Sequence, residues 1–149
     1  MKFVLLLALV SLSCLTTVRS QDFKKMRFNH EAILVVDLKQ STKFYMDVLK
    51  LDSIPEPFHD GKHLWLSVGN GGSVHVIEGA DKAKEYFQNN HFCLSTDNVV
   101  AFTKHLELKK VAWYDAGGNL NKMTTRVDGV HQVWVKDPDG YWIEVNNAK

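Results

Sequence analysis

A repeated order of elements is the strongest constraint on this chain. Asn29-His30 and Asn90-His91 each open a short run of mostly apolar residues, and an Asp stands six or seven positions beyond each histidine, at Asp37 and Asp97. The run from His30 to Val36 predicts a strand that stops at Asp37. Phe44, Tyr45, Val48 and Leu49 then recur at helical spacing in a stretch opened by Ser41, with Asp37 or Ser41 as the cap. The next short strand ends at Pro55 and Pro57, and the runs 63–68 and 73–77 flank Gly69-Asn70-Gly71-Gly72 as a hairpin. The second copy repeats this order. A strand opens at Asn90-His91 and reaches Ser95, and Val99, Phe102 and Leu106 mark a helix with Val100 and Leu108. A short strand over 111–114 leads through Gly117-Gly118 to strands over 130–135 and 142–145, joined by Asp137-Pro138-Asp139-Gly140. Strand, helix, strand and hairpin occurring twice predict a pseudo-symmetric domain.

Composition narrows the function classes. At 149 residues, 45% of them hydrophobic and 23% charged, the chain has the size of one globular domain. Eighteen bases against seventeen acids, with no long run of either sign, argue against nucleic acid as a partner. Two cysteines, Cys14 and Cys93, build neither a disulfide framework nor a CxxC zinc knuckle, so a bound metal must rely on His and carboxylate. Cys93, between Phe92 and Leu94, reads as a buried small hydrophobe rather than a nucleophile.

The N-terminus reads as a signal peptide over residues 1–20: Lys2, an apolar run from Phe3 to Val10, and Val18-Arg19-Ser20 before Gln21. The stretch is shorter than the roughly 20 apolar residues of a membrane span, so no stable span is expected. A retained anchor and a lipoprotein anchored at Cys14 remain the alternatives. Export to a periplasmic or secreted location follows. Loss of Lys2 and Arg19 would leave sixteen bases against seventeen acids.

Four side chains belong together under the repeat: His30, His75, His91 and Glu144. His30 and His91 begin equivalent first strands, while His75 and Glu144 lie in equivalent last strands. A pseudo-twofold would bring such positions to one axis, and a curled sheet would turn all four inward. Imidazole with carboxylate suits one divalent ion such as Zn, Ni, Fe or Mn, with room for water or substrate.

The segments His30 to Leu38, Ser41-x-x-Phe44-Tyr45-x-x-Val48-Leu49, Asn90-His91, and above all Asp137-Pro138-Asp139-Gly140-Tyr141-x-Ile143-Glu144 resemble the vicinal oxygen chelate superfamily, which includes glyoxalase I. The resemblance runs from about Phe28 to Asn146. It implies an α+β, glyoxalase-like fold in which two βαβββ modules, 28–80 and 89–147 of a single domain over 28–147, form a curved sheet around a divalent ion. His30, His75, His91 and Glu144 fall on its four ligand positions. His75 departs from the Glu often found there, which leaves a three-ligand site of His30, His91 and Glu144 open. Lys50 stands where the family often ends its first helix with Gly.

The resemblance also implies a homodimer acting on a small molecule with vicinal oxygens. A glyoxalase I-like lyase or isomerase working through a metal-bound enediolate, with Glu144 as proton-transfer base, is the leading expectation. A dioxygenase or thiol transferase of the same family is an alternative, as is a metal-free, bleomycin-resistance-type sequestering module with a groove lined by Trp65, Trp113, Trp134 and Trp142. Export weighs against a thiol-dependent reaction. His131 and Arg126 read as exposed strand polarity, with the steadying of an anionic substrate as the alternative, Glu78 as pointing away from His75, and His59, His63 and His105 as surface residues without a role.

Overall fold

A computed structural model describes residues 25–149. The expected signal segment, its cleavage point and Cys14 lie outside the described residues. Among those described, no helix is long and apolar enough to cross a membrane.

The first module opens with β1 (His30–Val35), followed by α1 (Leu38–Lys43). Asp37 is the cap, its carboxylate accepting from the Gln40 amide at 2.9 Å, so the helix starts three residues before Ser41. Six residues are too few for a helix to persist alone. The chain continues as a π-helical turn over Phe44–Val48, whose wider winding buries the adjacent residues Phe44 and Tyr45 along with Val48. β2 (Asp52–Ile54), β3 (His63–Ser67) and β4 (Ser73–Glu78) complete a four-stranded sheet in the order β1-β4-β3-β2. Only β1 and β4 run parallel. The β3–β4 turn puts Gly69, Asn70 and Gly71 all at positive φ, a path that glycine and asparagine tolerate best.

The second module repeats this plan with β5 (His91–Ser95), α2 (Val99–Leu108), β6 (Trp113–Tyr114), β8 (His131–Lys136) and β9 (Trp142–Asn146), in the order β5-β9-β8-β6. The two-residue β7 (Thr124–Thr125), which has no apolar pattern to announce it, pairs with β8. Asn98 caps α2 through the Ala101 amide, and Val99, Thr103 and Leu106 are its buried stripe. Lys50 and Lys110, just beyond the two helices, both take a left-handed conformation with φ of 60° and 57°. Pseudo-symmetry thus extends to the backbone.

Each sheet gives one face to the helices. Ile33, Val35, Leu66, Val74 and Val76 from the first sheet join Val133, Val135, Ile143 and Val145 from the second in one core with Tyr45 and Leu106. Alternation along the strands sends His30, Ala32, His75, Trp65 and His63 to the other face of the first sheet. It sends His91, Cys93, Glu144, Trp134 and Trp142 to the other face of the second. The sheets are separate rather than one continuous curve.

The turn between β8 and β9 holds the modules together. Asp137 Oδ1 accepts from the amides of Asp139 and Tyr141 at 2.9 and 2.8 Å, and its Oδ2 accepts from the Tyr45 hydroxyl at 2.8 Å. Asp139 reaches the first module too, accepting from the Val36 amide at 2.7 Å and the Ser41 hydroxyl at 2.9 Å. Buried carboxylates are tolerable only when this fully bonded.

Candidate metal centre

Strand register makes the two halves of the site equivalent residue by residue. His75 pairs with Ala32 on one side and Trp65 on the other; Glu144 pairs with Cys93 and Trp134. His30 and His91 stand two residues before Ala32 and Cys93. Each sheet therefore carries a His two residues upstream of the first strand's pairing position, a ligating group on the last strand, and a Trp beside it.

In the second module, His91 Nδ1 lies 2.8 Å from the Gln88 carbonyl oxygen. A carbonyl only accepts, so Nδ1 carries the proton and a neutral ring leaves Nε2 bare. That bare nitrogen stands 3.0 Å from Glu144 Oε2. Two acceptors at this distance need a proton or a cation between them, and bonds of about 2.0–2.2 Å to one ion set neighbouring donors about 3.0–3.5 Å apart, the lower end at octahedral angles. The other Glu144 oxygen accepts from Asn146 Nδ2 at 2.8 Å. Asn146 cannot flip its amide without loss, because its Oδ1 accepts from the Ala148 amide at 3.0 Å and the Ser95 hydroxyl at 3.3 Å. Both potential ligands thus have outer partners that fix their orientation, as metal sites require. Imidazole nitrogen and carboxylate oxygen are donor types that a divalent ion takes, and this pair supplies two of them.

The first module carries His30 and His75, with ring centroids 6.0 Å apart. His30 Nδ1 meets the Asn29 side-chain oxygen at 2.7 Å, which again leaves Nε2 bare. His75 is 7% exposed. Its ring stacks on Trp65 at 4.3 Å, and Phe58 stands over it at 5.7 Å. Burial, with His63 and His30 adding to it, lowers the pKa of His75 below the ordinary histidine value and holds the ring neutral.

The repeat predicts one constellation, and the structure gives two pairs. Among the described residues, no three His, Cys, Asp or Glu side chains come close enough together to hold an ion. His30 with His75 and His91 with Glu144 lie on different sheets, because the two sheets share a core through their opposite faces. Glu78 turns to the helix side as expected and accepts from the Leu38 amide at 2.9 Å. His131 is exposed beside Thr125, and Arg126 is paired with Asp128.

Several residues carry more than their sequence context suggested. His63 is half-buried and lies 2.7 Å from His75, Nδ1 to Nε2. Hairpin register was the available signal: Trp65 opposite His75 puts His63 on the same face, one step diagonal. Strand alternation puts Asn146 on the face of Glu144, two residues on, whereas the Gln88 carbonyl had no comparable signal. Cys93 is exposed as a residue, but its thiol is partly enclosed beside Glu144. It remains unsuited to nucleophilic work, since that enclosure and the adjacent Glu144 push its pKa up to about 12. Of the four tryptophans, Trp113 packs into the core on the helix side, so it lines no groove with the other three.

The model of the Glyoxalase/Bleomycin resistance protein/Dioxygenase superfamily matches residues 27–145. The chain belongs to this superfamily. It is 29% identical to the mitochondrial methylmalonyl-CoA epimerase of Mus musculus, over 87% of this chain and 77% of that one. It is 30% identical to the lactoylglutathione lyase of Haemophilus influenzae, over 80% of this chain and 90% of that one. Among solved structures, a fosfomycin resistance protein from Listeria monocytogenes superposes with a TM-score of 0.65 at 17% identity, covering 85% of this chain and 96% of its own. That likeness is one of fold. As a superfamily member the chain has the α+β glyoxalase-like architecture, and its relatives include a lyase and an epimerase.

Proposed function

We propose that the chain is a metal-dependent lyase or isomerase that moves a proton on a small substrate bearing adjacent oxygens. His30, His75, His91 and Glu144 hold one divalent ion, and Glu144 is the base. The carrying observation is the His91–Glu144 pair, with Nε2 and Oε2 3.0 Å apart and the outer atom of each side chain already bonded. When bound, the ion supplies positive charge that polarises substrate oxygens and acidifies the neighbouring C–H. Glu144 Oε1, steadied by Asn146, keeps its plane while the carboxylate takes and returns the proton. The names of the two relatives both denote acyl thioesters, and a proton on carbon next to a carbonyl is the chemistry such substrates share.

The site is completed by a second copy of the chain, whose β5–β9 sheet faces the β1–β4 sheet of the first. Two donors per sheet are too few for a catalytic ion, which takes three protein ligands. The site-side face of the first sheet also leaves Leu34 42% and Ile54 38% exposed, apolar surface that a partner would cover. Export is part of this proposal: an intact mass beginning near Gln21 supports it, and retention of residues 1–20 overturns it.

Solvent-deuterium exchange tests the chemistry. Metal-loaded protein should exchange the α-proton of an α-hydroxycarbonyl compound or an α-hydroxyacyl thioester, and Glu144→Gln should abolish this. If a broad panel shows no metal-dependent exchange while metal-free protein binds an aromatic ligand tightly, the sequestering alternative replaces this reading.

A further inference from the structure

We propose that Asp60 and His63 form a positioning chain that sets the tautomer of His75 and leaves its Nδ1 as the bare, ligating nitrogen, which makes His75 a metal ligand in its own right. This rests on the metal-centre reading above. His63 Nε2 lies 3.4 Å from Asp60 Oδ2, and His63 Nδ1 lies 2.7 Å from His75 Nε2. A neutral imidazole has one donor and one acceptor. If His63 carried its proton on Nδ1, a bare nitrogen would face the Asp60 carboxylate, acceptor against acceptor. With the proton on Nε2, each contact is favourable: His63 donates towards Asp60, its Nδ1 accepts, and His75 Nε2–H donates to it. His75 Nδ1 then carries a free lone pair, and it has no hydrogen-bond partner among the described residues.

The surroundings hold the chain in place. Asp60 Oδ1 accepts from the Lys62 amide at 2.9 Å, Glu56 accepts from the amides of Phe58 and His59, and the Lys62 carbonyl accepts from the Glu78 amide at 2.8 Å, so the 56–62 loop is folded on itself and tied to β4 at its end. Phe58 covers the His63 ring at 4.2 Å, while Trp65 supports His75 from β3. The need for such a device follows from the residue type. A carboxylate offers either oxygen to an ion without preparation, whereas a histidine must present the correct nitrogen bare. His30 and His91 obtain this from an oxygen acceptor at Nδ1, and His75 obtains it at Nε2 through a second histidine.

Imidazole nitrogen–proton correlation spectra of 15N-labelled, metal-free protein read the tautomer directly. Wild type should show His75 protonated on Nε2. His63→Leu should lose that preference, and His63→Asn, whose side-chain oxygen takes the place of Nδ1, should retain it. Zinc affinity, measured by chelator competition, should fall about 10–100-fold in His63→Leu and recover in His63→Asn. Asp60→Asn, a change at an exposed loop residue, should weaken zinc binding without altering the fold. A wild-type His75 protonated on Nδ1, or zinc affinity in His63→Leu within twofold of wild type, overturns the proposal. If that happens while His91→Ala and Glu144→Gln still lose the ion, the metal centre stands without this chain. A wild type that binds no ion overturns both.

Discussion

Asp137 is a carboxyl with three donors aimed at it and almost no water. Burial outweighs those hydrogen bonds and pushes its pKa up to about 6. Its folded pKa therefore lies above the ordinary Asp value. Stability from its protonated form is fully present below about pH 4 and is lost as pH rises through about 6. Asp137→Asn removes that titration, so urea midpoints should shift in favour of the variant between pH 4 and pH 7; a constant difference would show that the carboxyl titrates normally. Lys50 is a second residue-level case, a side chain held at φ of 60° where left-handed backbone disfavours any Cβ. Lys50→Gly should stabilise the fold by roughly 0.5–1 kcal/mol, the strain relieved less the added unfolded-state entropy. A thermal scan showing a lower melting temperature would mean that contacts of the Lys50 side chain matter more than its backbone.

At the scale of elements, the β8–β9 turn is the joint on which both modules close. Gly140 has φ of 94°, and a Cβ there would sit 1.8 Å from the Lys84 carbonyl oxygen. That carbonyl belongs to the connection between the modules, which is pinned by the Lys84 amide donating to Asp139, by Tyr86 stacking on Tyr141, and by Trp142 Nε1 donating to the Tyr86 carbonyl. Gly140→Ala must displace backbone and should cost about 2–4 kcal/mol, overpacking and left-handed strain together. A denaturation midpoint within about 1 kcal/mol of wild type would show that the connection gives way freely. The same elements explain the helix boundary: Asp37 stops β1 and starts α1, with Glu78 accepting from the next amide.

At the scale of the whole molecule, the separation of the two half-sites makes a prediction about mixtures. A variant with His30→Ala and His75→Ala lacks one half, and a variant with His91→Ala and Glu144→Gln lacks the other. Neither should hold an ion alone. Mixed and allowed to exchange subunits, they should form heterodimers with one intact site, restoring metal binding and half of the wild-type stoichiometry per heterodimer. No recovery despite demonstrated heterodimers would place all four ligands within one chain.

What the sequence determined by itself was the repeat, its turns and the alternation along its longer strands. Asn-His at the head of each copy, the Gly-Asn-Gly turn, the Asp-Pro-Asp-Gly turn and the alternating strands specified two like modules and the faces of His30, His75, His91 and Glu144, because side-chain direction in a strand follows from parity alone. Register within a hairpin was nearly as legible, and it held the signal for His63 that its surface-like context concealed. The tertiary structure decided what lies across a gap in sequence: that both sheets turn their helix sides to one shared core and leave the ligand pairs apart, that Asp137 and Asp139 clasp Tyr45, Val36 and Ser41, and that His75 meets His63 before it can meet an ion. Such contacts depend on how whole faces pack, and packing is a property of surfaces assembled from distant residues, which no local pattern encodes.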